Sequence, residues 1–296
     1  MERPDTVDGG RIRLGDPLGQ GAQGTVYAAR SGADELAVKL VPRASLSPRF
    51  AGEARALAAM DHPHVVALHS WGHEGDWAWI ATPLMTGGST LDRLEASGPW
   101  PIDDALRLTF DVLCGLAALH HRRIVHRDVK PGNMFIDALG RAVIGDLGVA
   151  HLPAGEVNYE TATGTNLGTV DYAAPEQGKD AKRVDRRADL YGVGATLFAW
   201  VVGRRPSFLY AREEFPQAYE HLPESLHELV AEACAHDPDD RFPDARAMAT
   251  RVVELLAEHN PKTDPAKLMA EFDELSPSPP WWVDRWYSLR EWFAGL

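Results

Sequence analysis

The sequence predicts an α+β chain of two lobes, a small β-rich lobe followed by a larger, mainly helical one. From residue 11 to residue 82, short apolar segments alternate with glycine-rich or polar turns, as in an antiparallel meander. After Gly87-Gly88, apolar residues recur at helical spacing over long segments. The 296 residues, 45% of them hydrophobic, are enough to build a buried core in each of about two lobes.

Five strands and one helix are expected in the first lobe. Ser47-Pro48 predicts the helix start, because serine caps the first amides and proline suits the first helical position. Asp61-His62-Pro63 ends the helix, since the residue before proline avoids the helical conformation. Residues 1–10 are expected to form a loose leader. The predicted strands are 12–14, 25–29, 36–40, 65–68 and 77–82.

The second lobe is expected to be built from long helices. The boundary between the lobes is placed at residues 85 and 86, and the second lobe ends at residue 256. Beyond it, residues 257–280 are expected to form a helix and a Ser/Pro-rich linker, and residues 281–296 a Trp-rich amphipathic segment. The predicted helices of the second lobe are 103–121, 186–203, 224–236 and 244–259.

Composition narrows the classes of function and location. Thirty basic and 43 acidic residues give a net charge of −13, which argues against nucleic acid as the main partner. Cys114 and Cys234 make no disulfide framework, so a reducing compartment is expected. No signal peptide or transmembrane segment is evident, and a cytoplasmic location follows as the expectation.

A glycine-rich motif lies between the first two predicted strands. It contains Gly19-Gln20-Gly21 and Gly24, and glycines let backbone amides approach phosphates closely. A dinucleotide-binding fold would need a helix directly after the motif, whereas a strand is predicted at 25–29. The motif alone is weak evidence, because the tips of flexible hairpins are also rich in glycine.

Lys39 lies within an apolar strand and therefore needs an anionic partner. Glu53, on the following helix, is the candidate partner. In isolation, Lys39 would more often be a surface lysine on a strand, and Glu53 would fit a solvated charge on a helix.

A polar loop at residues 126–133 carries the most specific signal. Asp128 can accept a proton, Lys130 can neutralise phosphate charge, and Asn133 offers a carbonyl oxygen to a metal ion. Asp146 follows eighteen residues after Asp128. Oxygen ligands from aspartate and asparagine suit Mg²⁺, which shares its coordination shell with substrate phosphates.

Together these motifs resemble the eukaryotic-like protein kinase family in its bacterial serine/threonine form. Later motifs extend the resemblance. Ala174-Pro175-Glu176 matches the A-P-E motif, Asp189 matches an aspartate at the start of a large-lobe helix, and Arg241 matches an arginine that pairs with Glu176. The resemblance implies a bilobal protein-kinase-like fold, with the kinase domain at residues 11–256.

The resemblance also implies how ATP and its metal ion are held. Lys39 would bind the α- and β-phosphates, and Glu53 would orient Lys39. Asn133 and Asp146 would hold Mg²⁺, with Mn²⁺ as an alternative.

By the same resemblance, Asp128 would accept the proton of a Ser or Thr hydroxyl and Lys130 would stabilise the transferring phosphoryl group. Thr169 resembles the threonine that seats the acceptor. The chain is therefore expected to be a serine/threonine kinase that acts on proteins.

The expected nucleotide pocket lies between the lobes. Thr82 is expected at the back of the pocket, and Pro83 and Met85 in the hinge that contacts adenine. The remaining residues expected to contact the nucleotide are Gly19, Gln20, Gly21, Gly24, Val26, Ala37 and Phe135.

Regulation is expected in the segment from Asp146 to Glu176. The resemblance implies that Arg127 meets a phosphate on this segment, since phosphothreonine brings charge that an arginine can bind. Thr161 and Thr163 resemble an autophosphorylation pair of bacterial kinases. The alternative is a merely polar loop.

Several residues depart from the family pattern. Leu147 replaces the phenylalanine of D-F-G, and Gly132 replaces a glutamate found in many basophilic members. The segment between Lys39 and Glu53 is short, which makes their ion pair less secure. This is the sole support for an alternative function, a pseudokinase-like nucleotide-binding scaffold. A small-molecule phosphotransferase is disfavoured, because such enzymes generally lack the activation segment and A-P-E.

The segment 281–296 leaves three interpretations open. It contains Trp281, Trp282, Trp286 and Trp292, and a helix there would carry an aromatic face. That face could dock onto the large lobe, bind a partner or second copy, or lie in a membrane interface.

Overall fold

A computed structural model of the chain describes residues 3–21, 24–147, 170–178 and 184–275. The small lobe is a six-stranded antiparallel sheet with the strand order β1-β2-β3-β4-β6-β5. Helix α1 (Pro48–Ala58) follows β4 in the chain. The strands are β1 (Thr6–Val7), β2 (Ile12–Gly21), β3 (Gly24–Ser31), β4 (Asp34–Pro42), β5 (Ser70–Glu74) and β6 (Trp77–Pro83).

Helix α1 begins where the sequence predicts. The Ser47 side chain accepts a hydrogen bond from the Phe50 amide at 3.4 Å, and Pro48 occupies the first turn. Phe50, Ala54 and Leu57 are buried in the same core as residues of the sheet. This packing fixes α1 beside β4, the strand that carries Lys39.

The expectation of a loose leader is wrong for residues 6–7. They form β1, which pairs with Ile12 and Arg13, and Val7 is fully buried. Gly9 and Gly10 both have positive φ, at 61° and 87°. They allow the tight turn that folds β1 back onto β2.

The strand predicted at 65–68 is also wrong. The fifth strand of the chain begins later, at Ser70. The Val66 amide instead donates to the Ile144 carbonyl at 2.8 Å, and the Ile144 amide donates to the His64 carbonyl at 2.9 Å. The apolar residues here are buried because they pack against the large lobe. A strand-like pattern in the sequence does not distinguish this kind of burial from burial within a sheet.

The large lobe is mainly helical, as predicted. A two-stranded sheet, β7 (Met134–Ile136) and β8 (Ala142–Ile144), lies beside the loop of residues 126–133. The segment 224–236 begins with a 3₁₀ turn rather than one continuous helix. The helices are α2 (Thr90–Ser97), α3 (Ile102–His121), α4 (Arg187–Val202), α5 (His227–Ala233), α6 (Ala245–His259) and α7 (Pro265–Leu275).

Helices α2 and α7 differ in whether the sequence predicts them. Helix α2 is a short helix that the sequence patterns miss. Helix α7 lies within 257–280, where a helix and linker are expected; residues 276–280 and the Trp-rich segment 281–296 lie outside the described residues. Within the described ranges, we find no helix both long and apolar enough to cross a bilayer.

Candidate active site

A cleft of about 640 Å³ lies between the sheet of the small lobe and the β7–β8 region of the large lobe. Thirteen of the residues expected to bind the nucleotide or metal, or to form the Lys39–Glu53 pair, line it. They are Gly19, Gln20, Gly24, Val26, Ala37, Lys39, Glu53, Thr82, Pro83, Met85, Asn133, Phe135 and Asp146.

The hairpin of β2 and β3 forms one wall of the cleft. Gly21 pairs with Gly24 at its end. Gly24 has a φ of 129°, and a Cβ atom there would approach the Leu40 carbonyl oxygen to 2.6 Å. Only glycine therefore fits this position, where the end of the hairpin packs closely on β4.

Strand pairing places Lys39 in the middle of the sheet that forms the small-lobe side of the cleft. Lys39 pairs with Val26 on β3 and with Ile80 on β6, so it lies on an interior strand. Its Nζ atom lies 2.6 Å from Glu53 Oε2 and 3.5 Å from Asp146 Oδ1. The Lys39 and Glu53 side chains are only 14% and 7% exposed. The short spacing therefore does not prevent the ion pair.

Burial and charge act in opposite directions on this pair. Burial lowers the pKa of Lys39, but the carboxylates of Glu53 and Asp146 raise it by more, and the result is an upward shift. Burial raises the pKa of the Glu53 carboxyl, an effect that the Lys39 ammonium opposes. The Glu53 carboxylate depends on Lys39, because without that ammonium it would be a buried charge with no cation beside it.

The loop of residues 126–133 brings two side chains, Lys130 and Asn133, against the carboxylate of Asp128. Asp128 Oδ2 accepts hydrogen bonds from Lys130 Nζ at 2.8 Å and from Asn133 Nδ2 at 2.9 Å. Asn133 Nδ2 also donates to the Asp128 carbonyl at 2.8 Å. These bonds use the side-chain nitrogen of Asn133, so its side-chain oxygen, Oδ1, remains for a cation.

A buried carboxylate holds the start of this loop. Asp189, at the beginning of α4, accepts from the Arg127 amide at 2.7 Å and from the His126 amide at 2.9 Å. It also accepts from His120 Nε2 at 2.7 Å. Arg127 has a φ of 67°, a left-handed conformation uncommon for a side chain of this size. The bonds to Asp189 hold the backbone in that conformation.

His126 joins this loop to the segment that carries Asp146. Its Nε2 atom donates to the Gly145 carbonyl at 3.0 Å, and its Nδ1 atom accepts from the Asp128 amide at 3.2 Å. The Gly145 amide donates to the backbone carbonyl of Asn133 at 2.9 Å. The two prospective metal ligands, Asn133 and Asp146, are thus attached to one hydrogen-bonded unit, and their oxygens are a donor set that Mg²⁺ prefers.

The A-P-E segment is anchored on the large lobe. Arg241 pairs with Glu176 through two bonds of 2.8 Å, and its side chain is fully buried. Gln177, which the sequence analysis missed, donates from Nε2 to the Arg127 carbonyl at 2.8 Å. Its Oε1 atom accepts from the Ala174 amide at 3.0 Å. Gln177 therefore connects this segment to the loop that carries Asp128.

Other cleft residues were also missed by the sequence analysis. Ser89 and Asp92 form a capping box at the start of α2, and this S-x-x-D spacing is a signal that could have revealed the helix. The remaining missed residues that line the cleft include Leu18, Val66, Ile80 and Leu84. They are apolar residues whose position depends on tertiary packing.

Three predicted regulatory or substrate residues belong to the segment between Asp146 and Glu176. Thr161, Thr163 and Thr169 lie outside the described residues. Arg127 is described and buried, and its Nη2 atom donates to the Val184 carbonyl at 3.3 Å.

Comparison with known proteins agrees with this geometry. Residues 12–256 match the protein kinase domain family. The chain is 33% identical over 299 residues to serine/threonine-protein kinase PknA of Corynebacterium glutamicum, covering 94% of this chain. It is 34% identical over 277 residues to PksC of Streptomyces coelicolor and 38% identical over 218 residues to pkn2 of Myxococcus xanthus, covering 84% and 70% of this chain.

The relatives are longer proteins. The match covers 63% of PknA, 50% of PksC and 26% of pkn2. The family model nevertheless spans both lobes and every element of the cleft. The chain therefore belongs to the protein kinase family, among the eukaryotic-like serine/threonine kinases of bacteria.

Proposed function

We propose that the chain is an active protein kinase that transfers the γ-phosphoryl group of ATP to Ser or Thr hydroxyls of proteins. The observation that carries this proposal is the ion pair of Lys39 and Glu53 at 2.6 Å, with Asp146 3.5 Å from the same ammonium. Members of the family depend on this lysine–glutamate pair and on a metal-binding aspartate for phosphoryl transfer.

The residues that line the cleft suit ATP by the groups they offer. The hairpin of β2 and β3 would cover the phosphates with backbone amides, and Lys39 would bind the α- and β-phosphates. Val26, Ala37 and Phe135 would enclose the adenine ring, with Thr82 behind it and Pro83 and Met85 at its edge. Protein kinases in general use a divalent metal ion with ATP. We take this ion to be Mg²⁺, with Mn²⁺ as the alternative.

The metal ion, when bound, neutralises charge on the phosphates. The carbonyl oxygen of Asn133 and the carboxylate of Asp146 would hold it, and the hydrogen bonds through His126 and Gly145 keep these two residues in a fixed relation.

Proton transfer falls to Asp128. Its Oδ2 atom is occupied by Lys130 and Asn133, which leaves Oδ1 to accept the proton of the substrate hydroxyl. The hydroxyl oxygen forms its bond to the γ-phosphorus as the bond from that phosphorus to the departing ADP oxygen breaks. Lys130, which contacts Asp128 directly, would stabilise the charge on the phosphoryl group during this transfer.

We further propose that the segment between Asp146 and Glu176 is a regulatory loop. Autophosphorylation of Thr161 or Thr163 would place a dianionic group near Arg127, whose backbone is already held by Asp189. Thr169 would seat the acceptor residue. The alternative of a nucleotide-binding scaffold is weakened, because the ion pair on which its argument depended is formed.

Incubation with Mg·ATP followed by intact-mass measurement tests the proposal. The wild-type chain should gain phosphate on itself or on a casein-like protein, whereas the Asp128→Asn variant should gain none. Peptide mapping would then test Thr161 and Thr163. If the wild-type chain transfers no phosphate yet shows a thermal shift with ATP, the scaffold function is correct and the proposal is wrong.

A further inference from the structure

A buried polar junction joins three segments behind the cleft. The hydroxyl of Thr90, the first residue of α2, donates to the Pro131 carbonyl at 2.8 Å. The same hydroxyl accepts a hydrogen bond from the Trp200 indole at 3.0 Å. The exposed fraction of Thr90 is 0% and that of Trp200 is 1%. A hydroxyl at this depth is costly unless it is bonded, and here it is used once as donor and once as acceptor.

The junction attaches to the loop that carries the proposed catalytic residues. Pro131 opens the 3₁₀ turn Pro131–Asn133, and its carbonyl also accepts from the Met134 amide. The Asn133 amide donates to the Lys130 carbonyl at 3.0 Å within the same turn. Any displacement of Pro131 therefore moves Asn133, and through the bond at 2.9 Å it moves Asp128.

Trp200 itself is firmly placed. Its carbonyl accepts from the Trp100 amide at 2.8 Å, and the two indole rings lie 5.9 Å apart. The guanidinium of Arg93, on α2, lies 4.0 Å from the centre of the Trp100 ring. The indole N–H that reaches Thr90 is thus presented from a packed cluster between α2 and α4.

Helix α4 consequently holds the catalytic loop at two points. Asp189, near its start, binds the amides of His126 and Arg127. Trp200 lies eleven residues further on, about 16 Å along the helix axis, and reaches Pro131 through Thr90. The first point fixes the beginning of the loop and the second fixes its end.

We propose that Thr90 is a positioning residue for phosphoryl transfer, which sets Asn133 and Asp128 by tying the turn Pro131–Asn133 to α4. The proposal rests on the proposed kinase function, because catalysis is one of its readouts. Thr90 follows the cap residue Ser89, which lines the cleft, so the junction also joins the wall of the nucleotide site to the catalytic loop.

Three variants test this role. Thr90→Val keeps the shape and removes the hydroxyl, and kcat should fall about tenfold while the affinity for ATP changes by less than about twofold. Thr90→Ser keeps the hydroxyl and should restore kcat. Phe272→Leu is the stability control, because it changes a buried ring on α7, which packs against α3 and α6 and not on the junction; the melting temperature should fall while kcat stays within about twofold of wild type.

Hydrogen exchange supplies a readout that needs no catalysis. The amides of residue 130 and of residues 132–135 should exchange faster in Thr90→Val than in wild type, and at the wild-type rate in Thr90→Ser. The proposal is overturned if Thr90→Val leaves both kcat and exchange unchanged, or if kcat falls equally in Phe272→Leu and so merely follows stability. A wild-type chain that transfers no phosphate would contradict the kinase function instead, and the exchange measurement would still decide the role of Thr90.

Discussion

The ammonium of Lys39 lies 2.6 Å from the carboxylate of Glu53, although only 14 positions separate the two residues in the chain. The intervening chain completes β4, makes one 3₁₀ turn (Arg43–Ser45) and starts α1 at Pro48. Glu53 therefore lies in the second turn of a helix that begins late. The connection between β4 and α1 is short, and α1 itself has only 11 residues, yet the contact between Lys39 and Glu53 forms.

This contact predicts a large effect of Glu53→Gln on catalysis. The substitution keeps the shape of the side chain but leaves the Lys39 ammonium with Asp146 alone, at 3.5 Å. We expect kcat/KM to fall about 10- to 100-fold, because Lys39 is drawn away from the phosphates. Steady-state kinetics with a protein substrate measure the effect.

Glu35→Gln is the matched control for this prediction. Glu35 pairs with Arg30 at the exposed end of the same sheet, where the two side chains are 45% and 75% exposed. Exposed ion pairs contribute little, and kcat/KM should therefore be unchanged. Equal losses in the two variants would show that the effect is not specific to Lys39.

The buried carboxylate of Asp189 should be important for both stability and activity. Asp189→Asn places an amide NH₂ opposite the amides of His126 or Arg127, where a carboxylate oxygen now accepts. We expect the free energy of unfolding to fall by about 2 to 3 kcal/mol and the activity to fall with it. Urea unfolding monitored by tryptophan fluorescence gives the free energy. Asp185→Asn, a half-exposed site just before α4, should change stability far less.

Arginine and lysine should not be interchangeable at position 241. Arg241 binds Glu176 through two nitrogens, and it also donates to the carbonyls of Ala235 and His236. Lysine cannot make this planar set of bonds, so Arg241→Lys should lower the free energy of unfolding by about 2 kcal/mol. Arg246→Lys is the control, because Arg246 makes a similar two-nitrogen pair with Asp273 on the surface. A loss in Arg246→Lys as large as in Arg241→Lys would contradict the prediction.

Stability should decrease in mildly acidic solution through His62. Burial lowers the pKa of His62 from 6.5 to about 4, and the neighbouring His64 acts in the same direction. Between these values the unfolded chain binds a proton at this position and the folded chain does not, so falling pH favours unfolding. At about pH 5 the contribution is about 2 kcal/mol relative to neutral pH.

The variant His62→Asn isolates this effect. An asparagine oxygen can replace the Nδ1 atom that accepts from the His64 amide at 3.1 Å, while the titrating group is removed. The free energy of unfolding, measured in urea at about pH 7.5 and about pH 5, should depend less on pH in the variant. An identical pH dependence in both chains would contradict the assignment to His62.

Local signals predicted the parts of the site that depend on short motifs. The loop with Asp128 and Asn133 and the start of α1 at Ser47-Pro48 need only the identity and order of nearby residues. The membership of the protein kinase family, inferred from seven such motifs, is confirmed by the match of residues 12–256.

Other elements depend on partners distant in the chain. Residues 65–68 look like a strand, yet their backbone partner is Ile144, nearly eighty positions away. Thr90 carries no motif at all, and its role arises because Pro131 and Trp200 meet there. Such contacts are set by tertiary packing, which a local pattern does not contain.

The bonds between residues 64–66 and Ile144 have a mechanical consequence. Although this connector lies within the small lobe in sequence, it is fastened to the strand that leads to Asp146. The carboxyl end of α1 therefore leads directly into a segment that is hydrogen-bonded to the large lobe. Glu53 lies about half-way along α1, so the position of its carboxylate beside Lys39 depends both on the sheet of the small lobe and on this attachment to the large lobe.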